Sequence, residues 1–215
     1  MLEEMELEGK AIAVVGVGCQ SPSYMPIDLD SVSAPHGRPA DVATGIKRSL
    51  PDSLVFTVQG DGDCFAIGTE GTIHAAARVE KITLFMVNNA LFGMTGGQMG
   101  PTTLVNQVTT TSAGGRQPEI AGFPIQVAEL LAQIKGVAYS ARCAVNNPVN
   151  YQRTKKCIKI AFQKQLDGVG LSFVEFLSAC PVGWGLTPLK SLEYIEEKMI
   201  PEFPLGEFKN VNSLE

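Results

Sequence analysis

Two short polar motifs, each placed directly after an apolar run, carry the residues of this 215-residue sequence that could do chemistry. Gly-Asp-Gly-Asp occupies residues 60–63 after the run Leu54–Val58, and Asn-Asn occupies residues 88–89 after Ile82–Val87. The two glycines of the first motif permit a tight turn that brings backbone N–H groups close to a phosphate. Because a carboxylate beside a phosphate would repel it, the aspartate at position 61 implies a bridging cation.

The two apolar runs predict buried parallel strands, since both are rich in β-branched and aromatic residues. In an open α/β sheet, ligands bind outside the carboxyl ends of the strands, so both motifs can contribute to one site. Magnesium is usually held by one or two carboxylates together with substrate phosphates. Asp61 would supply the carboxylate, and Asn89 would add a neutral amide oxygen.

The wider pattern between residues 60 and 103, which reads GDGD, IG, HAAAR, NN and FGMTGGQMGPTT, resembles the β subunits of 2-oxoacid:ferredoxin oxidoreductases. These proteins form a branch of the thiamine diphosphate-binding superfamily. The resemblance implies thiamine diphosphate and Mg²⁺ as cofactors, with Asp61, Asn89 and the backbone carbonyl of Leu91 as metal ligands. The residues that it implies for cofactor binding are Gly60, Asp61, Gly62, Asp63, Asn89, Gly93, Met94 and Thr95.

Two cysteines match positions that hold a [4Fe–4S] cluster in this family. Cys19 stands in a Gly-Val-Gly-Cys turn, and Cys180 stands in Ala-Cys-Pro, each after a predicted strand. The family's Cys-x-x-Cys pair would lie farther upstream of Cys19 than this sequence extends, which leaves three readings: a start placed too late, a truncation, or loss of the cluster. We predict that the remaining cysteines are ordinary buried residues; these are Cys64, Cys143 and Cys157.

His36-Gly37-Arg38 is a further family-like triplet, placed just before a predicted helix. His36 and Arg38 are therefore the catalytic candidates on this chain, because either could contact a substrate carboxylate or the diphosphate. A solvated loop or helix cap explains the triplet equally well.

Strands alternate with helices along the sequence, which predicts an α/β fold with a doubly wound, mostly parallel sheet of the thiamine diphosphate-binding type. We expect one such domain over residues 1–215, with a helical tail from about residue 187. The predicted strands are Ala11–Val15, Leu54–Val58, Ile82–Val87, Ala138–Val145 and Leu171–Leu177. The predicted helices are Pro39–Leu50, Ile67–Val79, Ile125–Gln133, Val149–Leu166 and one that opens at Thr187-Pro188.

The composition favours an enzyme subunit that works with partners. Hydrophobic residues make up 45% of the sequence and charged residues 18%, so part of the surface is expected to be buried against other chains. The net charge of −5 argues against nucleic acid. No apolar run approaches the roughly 20 residues of a membrane helix. The acidic opening segment is no secretory signal, and we expect a cytoplasmic protein.

The resemblance implies oxidative decarboxylation of a 2-oxoacid to acyl-coenzyme A, with ferredoxin as electron acceptor. The best match is 2-oxoisovalerate, with 2-oxoglutarate as the alternative. The activity would require an α subunit, which completes the thiamine site, together with γ and ferredoxin-like δ subunits.

Two other interpretations of the sequence assign it a different kind of function. A non-catalytic or cluster-less remnant of the same fold would explain the missing Cys-x-x-Cys pair. A nicotinamide-binding domain would use Gly16-Val17-Gly18, but the third glycine of that fingerprint is absent, and Pro22 and Pro26 interrupt the helix that should follow.

Overall fold

The computed structural model describes residues 1–21 and 28–214, so Pro22 and Pro26 lie outside the described residues. One sheet runs in the order β2-β1-β3-β4-β6-β5-β7, and every neighbouring pair is parallel except β5 and β7. The strands are β1 (Ala11–Val15), β2 (Asp30–Ser33), β3 (Leu54–Gly60), β4 (Thr83–Asn88), β5 (Val137–Ala144), β6 (Leu171–Leu177) and β7 (Gly206–Asn210). The predicted doubly wound, mostly parallel sheet is confirmed.

The helices connect the strands and end in a short helical run near the C-terminus. They are α1 (Pro39–Ser49), α2 (Thr69–Ala77), α3 (Pro118–Ala121), α4 (Val127–Ala132), α5 (Pro148–Leu166), α6 (Pro181–Trp184), α7 (Pro188–Tyr194) and α8 (Ile200–Glu202), with π-helical turns over Asp63–Ile67 and Ile195–Met199 and a 3₁₀ turn over Glu3–Met5. Asn147 and Thr187 cap α5 and α7 by accepting backbone N–H bonds, and a proline follows each at the first helical position.

Both faces of the sheet are covered, which explains why its central strands read as apolar runs. On one face, α1, α2 and α4 pack against residues such as Val55, Leu84 and Phe173. On the other face, α5 packs through Phe162 on the aromatic rings of Phe56 and Phe85. A third buried cluster lies beyond the carboxyl ends of β4 and β6, under the C-terminal helices.

The predicted helical tail is wrong at its far end. Residues 188–202 are helical, but residues 206–210 form β7, which pairs antiparallel with β5. The sequence analysis also missed β2, whose four residues are all exposed. Both are edge strands, and an edge strand needs no long apolar run because one side or one face stays in contact with water.

Among the described residues, no helix is both long and apolar enough to cross a membrane.

Candidate functional site

A cavity of about 120 Å³ opens at the carboxyl ends of β1, β3 and β4. Most of the predicted site residues meet there, as the topology of the sheet requires. The lining residues include Cys19, His36, Gly60, Asp61, Gly62, Asp63, Asn89, Leu91, Gly93, Met94 and Thr95. Residues that the sequence analysis did not single out complete the lining; they include Val17, Gly18, Gln20 and Phe92.

Asp61 is one of two buried carboxyl groups that line this cavity; it and Asp63 each have only 2% of their surface exposed. Burial raises the pKa of Asp61 to about 7, although hydrogen bonds from the Thr102 hydroxyl and the Gly62 backbone act in the opposite direction. Burial disfavours a carboxylate, and a nearby cation favours it. The environment of Asp61 is therefore one in which a bound cation would strongly favour the ionised form.

The two asparagines of the second motif have different roles. Asn88 is fully buried, and its side-chain oxygen accepts a bond from the Ala90 N–H at 2.9 Å. Asn89 lines the cavity, and its side-chain oxygen faces the Leu91 N–H at 3.3 Å. Ala90, between them, takes a left-handed φ of 59°, which turns the backbone sharply. The turn thus presents the side chain of Asn89 and the backbone of Leu91 to one site.

The Leu91 carbonyl is free to accept a ligand. Within the described part of the chain, no backbone or side-chain donor bonds to its oxygen, whereas the neighbouring Ala90 carbonyl accepts from Thr103 and Gln107. An ideal Cβ on Gly100 would lie 3.5 Å from Asp61 Oδ2 and 3.6 Å from the carbonyl carbon of Leu91. The carboxylate of the first motif and the backbone of the second therefore flank the same point.

Close packing joins the two motifs directly. An ideal Cβ on Gly62 would lie 2.0 Å from Cε1 of Phe92, so the ring occupies the space that any side chain at position 62 would need. The second glycine of the first motif is thus required by packing, since its φ of −66° is available to any residue.

The long segment after Phe92 is an ordered loop that holds this site together. Thr102 donates to the Asp61 carboxylate, and Thr103 donates to the Ala90 carbonyl at 2.6 Å. Arg116 is buried and organises the loop by donating to six backbone carbonyls, those of Gly100, Pro101, Thr103, Ala121, Gly122 and Phe123. The sequence places Thr102 and Thr103 within the family-like pattern but indicates no role for them, and Arg116 lies beyond that pattern.

Cys19 and Cys180 meet at the mouth of the cavity. Cys19 is exposed and Cys180 is half-buried. An ideal Cβ on Gly93 would lie 3.4 Å from Cys19 Sγ and 3.2 Å from Cys180 Sγ, so both sulfur atoms flank the same glycine. Burial raises the pKa of the Cys180 thiol, and the nearby Cys19 and Asp61 add to this effect. The other three cysteines lie away from this cavity. Cys64 is buried on the α1, α2 and α4 face of the sheet, Cys143 is buried on the α5 face, and Cys157, on α5, packs in the same cluster as Cys143.

His36 lies at the cavity, but Arg38 does not. The Nδ1 atom of His36 and the Gly37 N–H both bond to Oδ1 of Asp63, so that this aspartate anchors the His36 loop. Arg38 instead points to the surface, where its guanidinium pairs with Glu70 and Asp41. Of the two candidates, Arg38 thus lies outside the cavity in this chain, where acidic residues near the starts of α1 and α2 pair with it, and the reading of a solvated loop fits its position.

Comparison with known proteins decides the family. The model for "Thiamine pyrophosphate enzyme, C-terminal TPP binding domain" matches residues 15–176 of this chain. The chain belongs to the thiamine pyrophosphate enzymes. The resemblance to the thiamine-binding subunits of 2-oxoacid oxidoreductases is confirmed by the relatives described next.

Two relatives of this chain carry names that refer to different substrates. The ketoisovalerate oxidoreductase subunit VorA of Methanothermobacter thermautotrophicus is 40% identical over 209 residues, which are 97% of this chain and 44% of the relative. The 2-oxoglutarate synthase subunit KorB of Methanocaldococcus jannaschii is 34% identical over 207 residues, which are 93% of this chain and 72% of the relative. The chain thus spans less than half the length of the VorA relative.

A solved structure supports the fold of this thiamine pyrophosphate enzyme chain. The 2-oxoglutarate:ferredoxin oxidoreductase from Magnetococcus marinus, solved with 2-oxoglutarate, coenzyme A and succinyl-CoA bound, matches with a TM-score of 0.77 at 24% identity. The match covers 95% of this chain and 72% of that one.

The cavity fits the diphosphate and metal that this family implies. It offers the buried carboxylate of Asp61, the amide oxygen of Asn89 and the backbone carbonyl of Leu91, which no donor among the described residues pairs with, and these are the kinds of oxygen donor that Mg²⁺ takes. The described residues contain no cluster of three or more His, Cys, Asp or Glu side chains arranged for a metal. A magnesium site with a single carboxylate would not form such a cluster, because its other ligands are neutral oxygens and phosphate.

Proposed function

We propose that this chain supplies the diphosphate- and metal-binding half of the active site of a 2-oxoacid:ferredoxin oxidoreductase, which oxidatively decarboxylates a 2-oxoacid to acyl-coenzyme A. The observation that carries the proposal is the meeting of Asp61, Asn89 and the unpaired Leu91 carbonyl in one cavity at the strand ends. These three groups would hold Mg²⁺. The backbone around Gly60, Gly62 and Gly93, with Met94 and Thr95 at the mouth, would receive the diphosphate.

The hard chemistry would belong to the cofactor, because thiamine diphosphate serves as the electron sink for loss of carbon dioxide. This chain's own residues would fix the charged end of that cofactor. Asp61 and Asn89 would hold the cation, whose charge would offset that of the diphosphate, and His36, anchored by Asp63, would stand beside it. The buried loop around Thr102 would exclude water from the metal ligands.

We propose 2-oxoisovalerate as the substrate, since the VorA relative is 40% identical over 209 residues, which are 97% of this chain. The alternative is 2-oxoglutarate, which the KorB relatives support at 34% to 35% identity.

Electron transfer through a [4Fe–4S] cluster belongs to the same proposal. Cys19 and Cys180 would supply two thiolate ligands at the cavity mouth, which is the usual chemistry of such clusters. The other two ligands would come from residues outside this sequence. The competing reading is a cluster-less relative that keeps the thiamine site alone.

Partner subunits complete the proposal: an α subunit that contributes the other half of the thiamine site, γ and ferredoxin-like δ subunits, ferredoxin and coenzyme A. Exposed apolar side chains near the cavity mouth support an interface on this side of the molecule. They include Met94, with 55% of its surface exposed, and Val182, with 95%.

The test is calorimetric titration of thiamine diphosphate into the assembled complex, with Mg²⁺ or with a chelator. We expect chelation or Asp61→Asn to weaken binding by at least about 100-fold, because both leave the diphosphate without its bridging charge. Asp52→Asn, on the exposed surface before β3, is the matched control and should bind like the unmodified protein. Equal affinity in Asp61→Asn and Asp52→Asn would contradict the proposed metal bridge.

A further inference from the structure

One arginine lies entirely inside the protein, at the centre of β5. The side chain of Arg142 has no exposed surface, and its guanidinium lies between the rings of Phe203 and Phe208, 5.2 Å and 5.1 Å from their centroids. Two of its nitrogens bond to the Glu129 carboxylate on α4, and its Nε donates to Oε2 of Glu175 at 2.8 Å. All of its polar atoms are therefore engaged.

Glu175 extends this network toward the cofactor cavity. It sits directly across from Arg142 in the parallel pairing of β5 and β6, and it is fully buried. Its second oxygen, Oε1, accepts a bond from Asn88 Nδ2 at 2.7 Å. Burial raises the pKa of Glu175, while Arg142 and Asn88 act in the opposite direction.

Asn88 is the last link before the metal-binding turn. A terminal amide has one donating end and one accepting end, so the orientation of Asn88 depends on its partners. Because Glu175 takes the donating end, the accepting Oδ1 must face the Ala90 N–H, which it does at 2.9 Å. This contact holds the left-handed turn at Ala90, and the turn in turn sets the positions of Asn89 and the Leu91 carbonyl.

The cost of such a network argues for a role beyond stability. Two buried charges lose their hydration on folding, and an apolar pair of similar volume would often stabilise a core equally well or better. Here the network runs without a break from α4 to the turn. The ion pair is thus placed where it can fix one conformation of that turn.

We propose that Glu175 and Arg142 are positioning residues of the magnesium site, which act through Asn88 and the Ala90 turn. This inference rests on the proposed function, since it assumes that Asn89 and Leu91 bind the metal. It extends that function to two residues on β5 and β6 that do not touch the cavity. Their loss should change how well the metal binds once the protein is folded.

The experiment compares Glu175→Gln with Glu129→Gln in the assembled complex. In Glu175→Gln, one of the two donors, Asn88 or Arg142, must face the amide NH₂ group of the new side chain instead of an accepting oxygen. Glu129→Gln changes only the contact between Arg142 and α4. With saturating thiamine diphosphate, we expect the apparent Mg²⁺ dissociation constant to rise by about 10- to 100-fold in Glu175→Gln. In Glu129→Gln it should rise less than about threefold, since the Glu175–Asn88 contact is kept.

Thermal unfolding measured without metal on the same samples separates positioning from stability. Equal Mg²⁺ affinity in both variants, with a lower melting temperature in Glu175→Gln, would overturn the inference. If Glu175→Gln does not fold, Asn88→Ala replaces it, because that change keeps the buried ion pair and breaks only the link to the turn; unchanged Mg²⁺ affinity there would also overturn the inference. If neither the unmodified protein nor Asp61→Asn shows Mg²⁺-dependent binding, the proposed function fails first.

Discussion

The two ends of the cavity are built in different ways. At the inner end, the proposed metal ligands lie on buried backbone. That backbone is held by the side chains of Thr102, Thr103 and Arg116 and by the hydrogen-bonded network that joins Asn88, Glu175 and Arg142. At the outer end, Cys19 is exposed, and Cys180 stands just before the four-residue helix α6. A hydrogen bond from Trp184 Nε1 to the Asn89 carbonyl at 3.1 Å ties that helix to the inner end, and Gly183 of the same helix packs against the side chain of Leu91.

This difference separates what the chain can do alone from what it needs others to do. The inner end offers the three oxygen groups that we propose as metal ligands, on buried backbone with many hydrogen bonds around it, and such support would reduce the ordering cost of binding. The outer end offers two sulfur atoms on either side of Gly93 and a surface rich in exposed apolar side chains. We therefore expect metal chemistry to depend on residues of this chain, and iron–sulfur chemistry to depend on assembly as well.

The largest expected effect lies at the outer end. In the complete complex purified without oxygen, Cys19→Ala or Cys180→Ala should remove one cluster's worth of iron and visible absorption, since each takes away one thiolate ligand of the cluster proposed here, while clusters of the ferredoxin-like subunit stay in place. Cys143→Ala and Cys157→Ala are matched controls, because both cysteines lie in the core on the α5 face of the sheet. Equal iron in all four variants would refute the assignment and remove the outer end from the comparison.

The next effect is a pH dependence of Mg²⁺ binding at the inner end of the cavity. Asp61 must be ionised to bind Mg²⁺, and its pKa in the folded protein is raised to about 7. Mg²⁺ affinity should therefore fall as the pH is lowered through 7, by about tenfold per pH unit and about 100-fold at pH 5. Titrations of Mg²⁺ between pH 5 and pH 8 would measure this; an affinity independent of pH would be inconsistent with Asp61 as the ligand.

The raised pKa of Asp61 should affect the stability of the metal-free chain in the opposite direction to its effect on Mg²⁺ affinity. Without metal, the folded chain holds the Asp61 proton more tightly than the unfolded chain does. The free energy of unfolding should therefore decrease as the pH rises from about 4 to about 7, and saturating Mg²⁺ with thiamine diphosphate should reverse part of that loss. Asp61→Asn, which has no such proton, should lack this contribution when unfolding by denaturant is followed across the same pH range.

The smallest effect should come from Asn89→Ala. This change removes one neutral oxygen, so we expect thiamine diphosphate binding in saturating Mg²⁺ to weaken by roughly tenfold, well below the effect of Asp61→Asn. Cys19→Ala should leave the same binding constant unchanged within about twofold, because its thiol is not one of the proposed oxygen ligands of the metal. If Asn89→Ala weakened thiamine diphosphate binding as much as Asp61→Asn does, the assignment of Asn89 as the weaker, neutral ligand would be wrong.

Much of the inner end was predictable from sequence because short motifs after apolar runs specify both a strand end and its ligands. The supporting residues were not, since Thr102, Thr103 and Arg116 act through contacts made by an irregular loop with no periodic pattern. Arg142 and Glu175 did leave a signal: each is the one charged residue inside a buried apolar strand, and such residues are rarely buried unless paired. Pairing them required the register of β5 and β6, which only the fold supplies.

The same limit explains where the structure departs from the expectations drawn from the sequence. Arg38 had the correct residue type and stood beside His36, but its partner Glu70 is 32 residues away in sequence. The edge strand β7 consists of Gly-Glu-Phe-Lys-Asn, and only its pairing with β5 makes it a strand. In each case the deciding contact is between segments distant along the chain.

Ala90 shows how the protein handles a conformation that glycine would adopt more easily. A left-handed alanine costs roughly 1–2 kcal/mol relative to ordinary backbone, and glycine would remove that strain. Glycine would also give the unfolded chain more conformations to lose, and it would delete a methyl group that is fully buried in the third cluster. The alanine thus adds some local strain, but it leaves the turn fewer alternative conformations. Asn89 and the Leu91 carbonyl, next to it in the chain, therefore have a narrower range of positions.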